Sequence, residues 1–242
     1  MKISKKWLSE YIAPLKSNDA LEHNLTQLGL EVDTITKNKD DYIIDIEFTP
    51  NRGDCLSIYG TARDLAAYKK KDVKKPTCSK FTFTKTNERI KNIYPSISPE
   101  YRYMELQNIN VKTKTPKFIT ERLKQCDIAS INIIVDISNY VMLEIGQPTH
   151  AFDLDKINGK LSIAKLEKKN KFTGIDNKDY IVEKGTEVIV DERNIIHALP
   201  GVIGSKISSV NTATKNILFE SGFFLPDVVP VSYTHLTLPT KA

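Results

Sequence analysis

Five residues carry side chains or backbone suited to chemistry and stand beside apolar patterns: Ser138, Asn139, His150, Gly204 and Glu220. Ser138 and Asn139 offer a hydroxyl and an amide on a helix. His150 offers an imidazole that titrates near neutrality. Glu220 ends the run Asn216-Ile217-Leu218-Phe219-Glu220; if it faces inward, its carboxylate needs a donor. Gly204 lies where a backbone N–H can approach a ligand closely. Each also has a structural reading. His150 can pin its turn through Asp153, Glu220 can be a strand-end solvent group, and Gly204 can be a turn glycine. Periodicity does not decide among these.

No glycine-rich phosphate loop, paired-histidine metal motif or nucleophile elbow is present. Cys55, Cys78 and Cys126 are odd in number and widely spaced, without zinc spacing. They read as reduced, unligated thiols, and no metal site is expected. The formal charge of +5, from 35 Lys+Arg against 30 Asp+Glu, suits RNA without demanding it. Much of that excess sits in Lys69-Lys70-Lys71-Asp72-Val73-Lys74-Lys75, which reads as a solvated linker. No apolar run reaches the roughly 20 residues of a membrane span, and no signal core follows Met1, so a cytoplasmic protein is expected.

The elements that must position these residues are read from spacing. Ile3, Trp7, Leu8, Tyr11 and Ile12 recur at helical intervals before Pro14. Asp19 with Glu22 predicts the start of a second helix ending at Gly29. Alternation predicts strands over Leu30–Thr36 and Tyr42–Phe48, and a helix over about Asp54–Lys69 follows the turn at Pro50–Gly53. Thr115 before Pro116 predicts a cap, with Ile119, Leu123 and Cys126 as the buried stripe. Ser130 is available to cap the next helix, carrying Ile133, Ile134, Ile137, Val141 and Ile145 to Gly146. Short β-type runs follow at 161–166, 180–182, 187–190 and 216–220. The fold class is α+β, with a small helical and hairpin domain over 1–75 and a mixed α+β domain over 77–230. Residues 231–242 lack the isoleucine, asparagine and acidic residues typical of the rest. They can be encoded by DNA similar to a sequencing-library transposon adaptor, so they are read as non-native and His235 receives no role.

Several blocks together resemble the bacterial phenylalanyl-tRNA synthetase beta subunit. They are Trp7-Leu8, Gly29-Leu30-Glu31-Val32-Asp33, Thr49-Pro50-Asn51-Arg52-Gly53-Asp54-Cys55-Leu56 with Ala62-Arg63-Asp64, Val135-Asp136-Ile137-Ser138-Asn139-Tyr140-Val141, and Glu144-Ile145-Gly146-Gln147-Pro148-Thr149-His150-Ala151-Phe152-Asp153. The resemblance implies a truncated editing domain of B3/B4 type over 77–230, hydrolysing tyrosine misattached to phenylalanine tRNA. It implies that Glu220 accepts the tyrosine phenol and Gly204 lines the amino-acid pocket. His150 stands near the ester and terminal adenosine, and Ser138, replacing an expected threonine, orients substrate and water with Asn139. The family's inserted OB-fold domain is absent between Asp33 and Ile44. The implied partners are an alpha subunit, in an alpha2beta2 heterotetramer, and tRNA(Phe). The segment needs no cofactor of its own, while the intact synthetase uses ATP and Mg2+. A non-catalytic scaffold or RNA-binding module with a decayed pocket is the alternative.

Overall fold

The computed structural model describes residues 1–15, 17–79, 82, 88–92, 94 and 96–225. The non-native reading of 231–242 lies outside the described residues. The chain forms two compact units, 1–81 with 113–147, and 82–112 with 148–242.

In the first unit, β1 (Lys2–Ser4), β2 (Glu31–Asn38) and β3 (Asp41–Glu47) form an antiparallel sheet in the order β1-β3-β2. The helical spacing read from Ile3 to Ile12 conceals a junction. Ile3 pairs with Ile44 in the sheet, and the helix α1 (Lys5–Ser9) begins only after Ser4, whose side chain accepts the Trp7 amide. Both segments bury their apolar residues in one core, so a four-residue spacing arises without one continuous helix. Helix α2 (Asn18–Gln27) is capped by Ser17, with Asp19 instead in its first turn, and the chain leaves it through Gly29 at φ +75°.

Helix α3 (Ile58–Tyr68) is capped by Ser57 after a short 3-10 turn at Gly53–Cys55. Arg52 fixes that turn by donating to the Leu28 carbonyl at 3.1 Å and to Asp64 at 2.6 Å. Thus the Arg-Gly-Asp stretch works as an internal clasp in this unit.

Helices α4 (Lys117–Gln125) and α5 (Ile133–Ile145) also belong to the first unit, although the sequence places 113–147 in the second domain. Their apolar faces explain the difference: Ile119, Leu123 and Leu143 share one core with Trp7, Leu8, Leu25, Ile44 and Leu65. The expected caps differ as well. Asn132 caps α5 by accepting from the Ile134 and Val135 amides, and Pro116 takes the N-cap position of α4. Thr115 and Ser130 instead donate to the buried Asp136 carboxylate at 2.5 and 2.6 Å. Gly146 closes α5 in the left-handed conformation, φ +79°.

The second unit is mostly sheet. Its strands are β4 (Ile90–Asn92), β5 (Glu100–Leu106), β6 (His150–Asp153), β7 (Leu161–Lys165), β8 (Asn170–Thr173), β9 (Asp179–Val182), β10 (Glu187–Val190), β11 (Ile196–Leu199), β12 (Ile203–Gly204) and β13 (Ile217–Phe223). They make a five-stranded sheet β12-β11-β10-β7-β4, a three-stranded sheet β5-β13-β6 and a ribbon β8-β9. The core joins Phe152 and Leu218 of the second sheet to Leu161, Ile163 and Ile189 of the first. Strands of four residues or fewer, such as β6, β8, β11 and β12, are too short to display a period in sequence.

Candidate functional site

The central strand β13 sets the site. Glu220 lies directly opposite His150 of β6 on one side and Tyr103 of β5 on the other. Directly opposed residues of antiparallel strands project from the same face. The register therefore brings Tyr101, Tyr103, His150 and Glu220 to one face of this small sheet, because Tyr101 opposes Gly222, two residues beyond Glu220.

Gly204 completes the local packing. A Cβ at this position would lie 2.5 Å from His150 Cε1 and 2.9 Å from Nε2, inside the distance real side chains allow. Its glycine character is thus required by the imidazole above it; its φ is not in the left-handed region. The turn-glycine reading is replaced by a close-approach one. On the other side, the His150 ring meets Phe152 edge to face at 4.5 Å. Glycine and phenylalanine together leave the imidazole few alternative rotamers.

The structural readings of His150 and Glu220 also change. His150 begins β6 rather than lying in a loop, and Asp153, three residues along that strand, accepts from Thr214 Oγ and the Asp155 amide. It does not pin His150. Glu220 stands in mid-strand, only 7% exposed, because β13 continues through Ser221 and Gly222 to Phe223.

Three polar atoms on this face are buried without a hydrogen-bond partner: Tyr101 Oη, His150 Nε2 and Glu220 Oε2. Buried polar groups in native proteins are nearly always paired, so three orphans on one sheet face call for a ligand or ordered water. Burial pushes the Glu220 carboxyl up to about 8 and pulls the His150 imidazole down to about 4. Both are therefore largely neutral at pH 7. The carboxylic acid then has an O–H to donate as well as oxygen lone pairs to accept, and the imidazole has one donor and one acceptor.

The sequence did not single out Tyr101, Tyr103 or Phe152 as site neighbours. The only signal was the period-two spacing of the tyrosines, whose significance depends on the pairing of β5 with β13. Ser138 and Asn139 stand partly buried on α5, in the first unit. Two open concavities of the second unit lie elsewhere. One of about 600 Å³ is lined by Phe172, Thr173, Ile196, Ser205 and Lys206, and another of about 480 Å³ by Ser162, Asp191 and Asn194; neither is lined by His150 or Glu220. Among the described residues no group of three or more His, Cys, Asp or Glu is placed to hold a metal ion, and no helix is long and apolar enough to cross a membrane.

Comparison with known proteins adds the family context. Residues 97–242 match the B3/4 domain family. The chain is 39% identical over 188 residues to the phenylalanine–tRNA ligase beta subunit of Pectobacterium atrosepticum, covering 77% of this chain and 24% of that protein. It is 40% identical over 190 residues to the corresponding subunit of Photorhabdus laumondii, again covering 77% of this chain and 24% of the relative. The chain thus spans about a quarter of the length of these relatives. An N-terminal fragment of the phenylalanyl-tRNA synthetase beta subunit from Pyrococcus horikoshii aligns in structure with a TM-score of 0.46 at 17% identity, over 98% of this chain and 73% of that one.

Proposed function

Because the chain belongs to the B3/4 domain family and to the phenylalanine–tRNA ligase beta subunits, we propose that its β6–β12–β13 site proofreads the product of the intact enzyme. The reaction is hydrolysis of the ester joining tyrosine to phenylalanine tRNA. Aminoacylation falls to the alpha subunit of the assembled alpha2beta2 enzyme, where ATP and Mg2+ are used. No step in the hydrolysis is assigned to either.

The observation that carries this reading is the set of orphaned polar atoms on one buried face, centred on Glu220. A carboxyl that is neutral in the empty site is satisfied by a group able both to donate and to accept, as a phenol does. Phenylalanine would leave that carboxyl unpaired. A site built around one hydroxyl can disfavour the analogue lacking it by about 10⁴- to 10⁵-fold. His150, held between Gly204 and Phe152, is too weak a base near neutrality to remove a water proton outright. It instead orients the ester and its attacking water, so positioning and polar stabilisation supply most of the acceleration.

The test is deacylation of Tyr-tRNA(Phe) and Phe-tRNA(Phe) by the intact ligase. Selective loss of Tyr-tRNA in the wild type, reduced at least about 100-fold by Glu220→Ala and by His150→Ala, is the expected result. Retained hydrolysis in Glu220→Ala removes the tyrosine-recognition role. One observation favours the non-catalytic alternative, a scaffold or RNA-binding module: two open concavities of the second unit are lined by residues other than Glu220 and His150. No deacylation above background by the wild-type enzyme would select that alternative.

A further inference from the structure

The lysine run after α3 is fixed to the first unit. Lys70 adopts a left-handed φ of +51° that closes the helix, while the Lys70 and Lys71 amides return to the Ala67 and Ala66 carbonyls at 3.1 and 2.9 Å. Val73 packs against the hydrophobic core, and the Lys74 amide donates to the Tyr11 carbonyl at 2.9 Å. A solvated linker would need neither anchor.

Between and beyond these anchors, Lys70, Lys71, Lys74 and Lys75 are all exposed. Among the described residues none of their ammonium groups has an ion-pair partner, whereas Lys2, Lys6, Lys160, Lys165, Lys169, Lys171 and Lys178 do. Asp72 offsets one charge, leaving a net +3 on six consecutive residues. Holding like charges this close on an ordered backbone costs repulsion, and the cost is relieved when an anionic polymer binds and releases its counterions.

We propose that the segment Lys70–Lys75 is a docking site for the phosphate backbone of tRNA. The inference rests on the family's tRNA substrate and adds the surface that holds it. Contact to phosphates gives affinity without base specificity, and each phosphate neutralised contributes about 0.7 to 0.9 to the slope of log K against log salt.

The experiment is fluorescence anisotropy of the full 242-residue chain with a labelled tRNA(Phe) transcript, from 50 to 400 mM KCl. The variant K70Q/K71Q/K74Q/K75Q is compared with K112Q/K168Q/K184Q/K215Q, which removes four exposed lysines of the second unit. Unchanged circular dichroism verifies folding. The expected result is an affinity reduced at least 10-fold at 100 mM salt and a slope shallower by about 3 for the first variant only. Equal loss in both variants, no change in the first, no binding by the wild type, or binding to phosphatidylserine vesicles in place of tRNA would each overturn the proposal. Failure of the proofreading reading is separable: deacylation by the intact ligase would then survive Glu220→Ala, while tRNA affinity and its salt slope would still fall in K70Q/K71Q/K74Q/K75Q.

Discussion

At the scale of single residues, the site is defined by burial without partners. Glu220 and His150 are shifted in opposite directions by the same cause, loss of water around the charged form. The consequence for stability follows from proton counts. Between about pH 4 and 6.5 the unfolded chain binds the His150 proton that the folded chain lacks, so stability rises with pH. His197, fully buried and also lowered by desolvation despite Asp191 at 3.3 Å, acts in the same direction. Between 4.5 and about 8 the folded chain retains the Glu220 proton that the unfolded chain has lost, so stability falls. Above pH 6.5 the histidine contributions fade as the unfolded imidazoles lose their protons, and from about pH 7 to 8 the Glu220 contribution dominates, with a slope below the limit of about 1.4 kcal/mol per pH unit. Urea unfolding of wild type and Glu220→Gln at pH 6.5, 7.25 and 8 should give a falling stability for the first and a flatter one for the second. Parallel slopes would show that the carboxyl does not titrate in this window. The residue types of this site were legible in the sequence, but the inward orientation of Glu220 was not. Ser221 and Gly222 carry no apolar signal, so a central strand looked as though it stopped after its third hydrophobic residue, Phe219.

At the scale of elements, helix existence was legible and helix beginnings were not. Gly29 and Gly146 end α2 and α5 as their spacing predicts, since left-handed termination selects glycine strongly. Starts are chosen among several adjacent Ser, Thr, Asn and Asp residues that can all accept an amide, and the tertiary structure assigns the others different work. Asp136 shows this. It takes hydrogen bonds from Thr115 Oγ, Ser130 Oγ and the Ile131 amide, tying the approach to α4 to the first turn of α5. Its removal takes a charged acceptor from three part-buried donors, at a cost of about 1 kcal/mol each, since water replaces part of what is lost. Asp136→Ala should therefore destabilise the first unit by about 3 kcal/mol, whereas Asp136→Asn, which preserves an acceptor, should lose less. Chemical denaturation monitored through Trp7 fluorescence measures both. Equal stability of wild type and Asp136→Ala would mean that the two hydroxyls find water instead.

For the whole molecule, the decisive feature is that the chain crosses between its compact units more than once. A boundary read from composition near residue 75 assumes that a domain is one uninterrupted stretch, and a lysine-rich segment invites that reading. Nothing local in α4 or α5 says which core they join, because an apolar stripe such as Ile119 and Leu123 fits any apolar partner. The contacts answer it: Trp7 stacks on Tyr140 at 4.9 Å, Arg122 lies over the Trp7 ring at 4.7 Å, and Tyr11 Oη donates to Glu144 at 2.5 Å. Those contacts predict a pattern in hydrogen exchange. Leu25→Ala opens a cavity in the first core at a cost of about 2 to 5 kcal/mol. Its effect should accelerate exchange not only in α2 and α3 but also across 117–125 and 133–145, with β7 and β10 changed much less. Mass-spectrometric exchange on the full chain reads all of these segments at once. If α5 amides instead keep their wild-type protection while α2 loses it, α5 takes its stability from elsewhere, and the first unit ends before residue 113.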